Sequence, residues 1–171
     1  DEEARAVFAR FERFRGPNLS NAARHRLVDD LLREYLARRP DGLVVLLGAG
    51  FDTRAFRLPG GRWVELDHPA LLARKARALP ANAAPRPLAR VGIDFATRDL
   101  AETLAPWAGE DDVVVVLEGV SMYLTDAAFT ATARALHAVF PRHTLLCDLM
   151  DARFAAASVA GCAATASSQQ S

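Results

Sequence analysis

The chain has 171 residues, 51% hydrophobic and 25% charged, with 21 basic side chains against 21 acidic ones. At this length one folded domain buries roughly 70% of the surface its unfolded chain exposes, so a core forms without staples, and collagen-like, coiled-coil and disordered classes are excluded. Zero net charge argues against a general binder of nucleic acid or anionic membranes, which depend on a basic surplus.

Val7, Phe8, Phe11 and Phe14 recur at helical spacing, so residues 1–15 are predicted to form an amphipathic helix stopped at Gly16-Pro17. Ser20 or Asn21 is placed to cap a second helix reaching about Arg38, with Leu27, Leu31, Leu32, Tyr35 and Leu36 on one apolar face. Pro40-Asp41-Gly42 then turns the chain. From Leu43 the period changes: Leu43–Leu47 is a continuous apolar run of strand length, as expected of a strand covered on both faces. Strand and helix then alternate: strand 62–66, helix 69–79, strand 86–93, helix 98–107, strand 113–117, helix 126–139 and strand 144–149, with 80–87 read as a loop. This interval predicts an α/β fold, a doubly wound, mostly parallel sheet built from right-handed crossovers. Cys147 and Cys162 form no CxxC and no zinc spacing, which fits a reducing, cytoplasmic compartment, and no apolar run approaches the roughly 20 residues of a membrane span.

The chemistry is expected at the strand ends. Gly48-Ala49-Gly50 follows the first strand, where glycines let the backbone turn tightly and approach a ligand. The third glycine of the dinucleotide fingerprint is missing, since position 53 is Thr, so a nucleoside without phosphates fits better. Asp67, ending the second strand, stands where a carboxylate can accept both ribose hydroxyls; the alternative is that it caps the next helix, and position favours ribose. Glu65, of the same parity, could pair with an arginine. Asp94-Phe95 after the third strand suits a flat base, or else a simple turn. Glu118, at the end of the very apolar strand Val113–Leu117, must find a cation: a ligand ammonium, or Arg54, Arg57 or Arg24.

Leu47–Arg54 (LGAGFDTR), Glu65–Pro69 (ELDHP) with Lys75 downstream, Leu117–Leu124 (LEGVSMYL) and the upstream Ala23–Asp30 (ARHRLVDD) together resemble the leucine carboxyl methyltransferase family. This family includes bacterial S-adenosyl-L-methionine-dependent O-methyltransferases acting on polyketide-like small molecules. The likeness runs in order from about residue 20 to about 152. It implies a class I, Rossmann-like methyltransferase fold, S-adenosyl-L-methionine as cofactor and a small-molecule acceptor methylated at a carboxylate or hydroxyl. It implies Arg24 at the carboxylate of the methionine moiety, Gly48 and Gly50 in the cofactor loop, Asp67 at the ribose, Asp94 and Phe95 at the adenine, and Glu118 near the ammonium. Phe95 stands where the family usually has Leu. Asp52 and Arg54 are read as shaping the loop and the sheet edge, or as a structural ion pair, rather than as contacting ligand. No catalytic base is assigned; His25, His68 and Tyr123 are the candidates in the motif-bearing loops. The expected organisation is one domain, with residues 1–40 as covering helices, 43–152 as the core and 153–171 as an uncharged tail, the last strands of the family fold being absent. Two other readings stay open: an inactive cofactor-binding or scaffolding domain, and an NAD-type oxidoreductase, against which the missing glycine counts.

Overall fold

In the computed structural model, which describes residues 15–95 and 97–149, five strands form one parallel sheet flanked by helices. Helix α1 (Arg15–Arg38) leads into β1 (Leu43–Leu47), the short α2 (Arg54–Arg57), β2 (Arg62–Asp67), α3 (Pro69–Ala78), β3 (Leu88–Gly92), α4 (Leu100–Leu104), β4 (Val113–Leu117), α5 (Asp126–Val139) and β5 (His143–Cys147). The strand order is β3-β2-β1-β4-β5. The chain winds outward from β1 to β3 and then crosses back to β4, so a crevice opens where the order reverses, between the carboxyl ends of β1 and β4.

Alternation along each strand divides the core in two. Leu43, Val45 and Leu47 of β1 join Val113, Val115 and Leu117 of β4 against Leu100 and Leu104 of α4 and Leu136 and Val139 of α5. Val44, Leu46, Val114 and Val116 face the other way, onto Leu32, Tyr35 and Leu36 of α1 and Ala55 of α2. All five residues of β1 and of β4 are buried, which is why these strands read as unbroken apolar runs. Each such side chain contributes about 1.5–3 kcal/mol on leaving water. Caps set the helix starts: His68 accepts from the Ala70 amide ahead of Pro69 in α3, Asp99 takes the Ala101 and Glu102 amides in α4, and Thr125 takes that of Ala128 in α5.

Several boundaries differ from the expectation. Helix α1 begins at Arg15 rather than at Ser20 or Asn21, because Pro17 falls in its first turn, where a missing amide hydrogen costs nothing. Leu27 and Leu31 are exposed, at 61% and 41%; they lie about one residue, or 100°, off the buried stripe of Leu32, Tyr35 and Leu36. Pro106 ends α4 early in a 3-10 turn over Ala105–Trp107, another such turn occupies Ala81–Ala83, and α2 was not expected. Strand β5 stops at Cys147, which frees Asp148 from the strand. The predicted helix over 1–15, apart from its last residue, and the tail over 153–171 lie outside the described residues. Among the described residues no helix is long and apolar enough to cross a membrane.

Candidate functional site

The loop after β1 is tied to the end of β2 by its own amides. Gly48 and Ala49 N–H both donate to the Leu66 carbonyl, at 2.9 and 3.0 Å. Gly50 N–H donates to Asp67 Oδ2 at 2.7 Å, and His68 N–H to Asp67 Oδ1 at 2.6 Å. Asp67 therefore fixes the glycine loop, while His68 rather than Asp67 supplies the side-chain cap of α3. Gly48 has φ +68°, and a Cβ there would stand 2.5 Å from Val120 Cγ2, so it is required by packing against the loop after β4. Over Gly50, among the described residues, a Cβ would meet only the Gly48 carbonyl, at 4.0 Å, which leaves that face of the loop open to them.

Beyond β3, Asp94 and Phe95 stand at the sheet's carboxyl edge, both exposed, Phe95 at 38%. The Asp94 carbonyl accepts the Thr97 and Arg98 amides, so the turn reading of this residue holds for its backbone. Phe95 also borders a cavity of about 230 Å³ walled by Leu100, Leu124, Ala128 and Ala135.

On the β4 side the site is a knot of charges around Arg54, whose exposure is 0%. Its guanidinium reaches Asp29 Oδ1 through Nε at 2.7 Å, Asp52 Oδ2 through Nη1 at 2.6 Å and Glu118 Oε2 through Nη2 at 2.7 Å. Its amide donates to Asp52 Oδ1 at 2.6 Å. Arg57 Nη2 donates to Asp29 Oδ1 at 2.7 Å. Burial acts to raise Asp29, but hydrogen bonds and charge from Arg57 and Arg54 outweigh it and lower its pKa from 3.8 to about 2. Glu118 is likewise lowered: burial opposes ionisation, and Arg54, Arg24 and His25 more than compensate. Burial disfavours the Arg54 charge too, and Asp52, Asp29 and Glu118 together hold its pKa above the ordinary value. Such a buried charge is tolerable only with every fork position answered.

Glu118 thus meets two of the three arginines weighed for it, Arg54 and Arg24, whose Nε lies 3.1 Å from Oε1. Asp52 and Arg54 form an ion pair with one another, as the structural reading allowed, and Asp52 also accepts the Arg54 amide at the end of the loop. His25 is enclosed by this cluster, with Nδ1 2.9 Å from Arg54 Nη2 and 3.2 Å from Glu118 Oε1, and Nε2 3.1 Å from Arg57 Nη2. Tyr123 is 81% exposed. The structure brings Arg24 and Glu118 into contact with one another, and sets Asp67, Asp94 and Phe95 along the β2–β3 half of the same edge.

Sequence reasoning missed Asp148. Its Oδ1 accepts the Gly119 amide at 2.7 Å and its Oδ2 lies 2.8 Å from Arg24 Nη1. An acid closing the run Leu145-Leu146-Cys147 was the available signal, hidden by a strand drawn two residues too long. Glu65 pairs with Arg90, as allowed, at 2.8 Å, and also with the fully buried Lys75, at 2.9 Å.

Comparison with known proteins is consistent with this geometry. The family description "Leucine carboxyl methyltransferase" matches residues 2–137. The tetracenomycin polyketide synthesis O-methyltransferase TcmP of Streptomyces glaucescens is 30% identical over 107 residues, 61% of this chain and 37% of that protein. A protein of Streptomyces coelicolor assigned by name to the S-adenosyl-L-methionine-dependent methyltransferases is 34% identical over 140 residues, 73% of this chain and 41% of that one. The chain thus spans well under half the length of these relatives. Among solved structures, magnesium protoporphyrin IX methyltransferase (ChlM) from Synechocystis with bound SAH shares the fold, with a TM-score of 0.55 at 17% identity, over 82% of this chain and 66% of that one.

Proposed function

The chain belongs to the leucine carboxyl methyltransferase family, and from that membership we propose that it is an S-adenosyl-L-methionine-dependent O-methyltransferase acting on a carboxylate or hydroxyl of a small, polyketide-like metabolite. One observation carries the reading. The open face over Gly50, the Asp67 carboxylate, the Asp94-Phe95 pair and the Arg24–Glu118 pair line one edge of the sheet on both sides of the β1/β4 reversal. The polyketide O-methyltransferase named among the relatives supports the acceptor class.

The residues fit a zwitterionic sulfonium nucleoside. Asp67 keeps lone pairs beyond its two amide contacts, enough for two hydroxyls. Arg24 offers its guanidinium Nη2 to a carboxylate, and Glu118 a lowered, ionised carboxylate to an ammonium. Asp94 would accept from an exocyclic amine while Phe95 covers the base. When bound, the cofactor supplies a methyl group activated by its sulfonium. In-line displacement neutralises charge between nucleophile and sulfonium, so the chain's part is to align and to exclude water. A carboxylate acceptor is already ionised at neutral pH and requires no base. A hydroxyl would require one, and of the candidates His25 is engaged with Arg54, Arg57 and Glu118 while His68 caps α3.

Titration calorimetry with S-adenosylhomocysteine, together with transfer of labelled methyl to a panel of aromatic acids and phenols, tests this. Binding plus label in an acid or phenol is expected. Binding without transfer favours the scaffolding alternative, and absence of binding removes the proposal.

A further inference from the structure

Arg24 is a long side chain on α1, 32% exposed, with rotamer freedom to lose before it can bind anything. Two carboxylates from two different strand ends hold it. Glu118, after β4, takes Nε, and Asp148, after β5, takes Nη1 at 2.8 Å. Among the described residues no hydrogen bond engages Nη2, which lies beside Gly119; even a Cβ there would stand 3.5 Å away. The other Asp148 oxygen grips the Gly119 amide at 2.7 Å, so one carboxylate sets both the arginine and the loop carrying Glu118. Ser121 Oγ adds a hydrogen bond to the Asp148 carbonyl and fixes the backbone beneath it.

Resting on the reading that this crevice takes the cofactor, we infer that Asp148 is a positioning residue: it holds the Arg24 guanidinium so that Nη2 is presented to the carboxylate of an amino-acid moiety. Glu118 alone could not do this. Its Oε2 is committed to Arg54 and its Oε1 is shared between Arg24 and His25, which leaves a single contact about which the Arg24 fork could swing. The second anchor removes that rotation, a gain in pre-organisation rather than a new ligand contact.

Asp148→Asn is the discriminating variant. Its amide oxygen can still accept from Gly119 N–H, while its NH₂ would face the Arg24 donor. Two probes separate positioning from a merely structural strut: S-adenosylhomocysteine, which carries the amino-acid moiety, and 5′-methylthioadenosine, which lacks it. For full-length Asp148→Asn, calorimetry should give about tenfold weaker S-adenosylhomocysteine binding, the scale of one charge-assisted hydrogen bond, and unchanged 5′-methylthioadenosine binding. Adding Asp148→Asn to Arg24→Ala should cost nothing further, because the two act as a unit. Equal weakening of both probes, weakening of neither, or an additive double variant overturns the inference. Wild-type protein that binds neither probe overturns the cofactor reading itself, a separate outcome.

Discussion

On the β4–β5 side of the crevice, charged side chains answer one another: Arg54 holds Asp29, Asp52 and Glu118, and Arg24 bridges Glu118 and Asp148. On the β2–β3 side Asp67 is fixed by two backbone amides, and Asp94 and Phe95 are exposed at a strand end. The difference separates two ways of preparing a site. Ion pairs join α1 to the sheet and set the charged end before any ligand arrives, so substitutions there act on folding as well as on binding. In the proposed site the ends of β2 and β3 carry the nucleoside half, where substitutions are expected to act mainly on binding.

Arg54→Met probes that division most severely. It leaves three carboxylates without their shared partner, and breaking a buried ion pair costs about 3–5 kcal/mol. Urea unfolding should show a loss on that scale, whereas Asp67→Ala, in the half-buried strand end, should lose far less. A loss below about 1 kcal/mol for Arg54→Met would place Arg54 among ordinary surface pairs and erase the contrast. The next largest effect is on acid stability. The Asp29 pKa of about 2 in the folded protein lies below the ordinary 3.8, so its stabilisation is complete above about pH 4 and drains away as pH falls towards 2. At about 1.4 kcal/mol per pKa unit this amounts to about 2 kcal/mol. Glu118 shifts in the same direction and adds to the slope. Unfolding midpoints between pH 4.5 and 2.5 should fall steeply for the wild type and for Asp67→Ala, and somewhat more gently for Arg54→Met, which loses Arg54's share of the pairing while Arg57 still holds Asp29.

The same division governs what the letters reveal. The positions of Gly48, Gly50 and Glu118 were legible because they follow β1 and β4, and a strand covered on both faces announces itself as an unbroken run, whereas Asp67 and Asp94 had to be placed at the ends of the mixed strands RWVELD and LARVG. The partners of Glu118 were not legible beyond a short list, because Arg24 and Arg54 lie 94 and 64 residues away and periodicity carries no information on which helix crosses which strand end. Asp148 was lost to a boundary error of two residues. Pro17 was read as a stop, although a proline in a first turn fits within the helix. The exposure of Leu27 and Leu31 depends on how far α1 is rotated against the sheet, which packing decides and pattern alone does not.

Asp67→Ala should weaken S-adenosylhomocysteine and 5′-methylthioadenosine equally, by about 30-fold, since it removes charged acceptors worth about 2 kcal/mol from the moiety both ligands share. That equality is the counterpart of the split expected for Asp148→Asn. If Asp67→Ala spares the nucleoside and weakens only the amino-acid-bearing ligand, the two halves of the crevice are not chemically distinct.

Phe95 makes the smallest and most specific case. At 38% exposure it contributes little to the core, so Phe95→Ala should leave the unfolding midpoint nearly unchanged, within the roughly 0.5 kcal/mol usual for surface positions. A ring over a flat base is worth about 1 kcal/mol beyond simple burial, so binding of both nucleoside ligands should weaken about fivefold. Phe95→Leu distinguishes the contributions: apolar cover survives and ring stacking does not. If cover is what the base requires, Phe95→Leu binds within twofold of the wild type, in keeping with the leucine the family usually carries there. If stacking is required, it falls with Phe95→Ala, and the β2–β3 half would then depend on a side-chain geometry as particular as the ion pairs opposite.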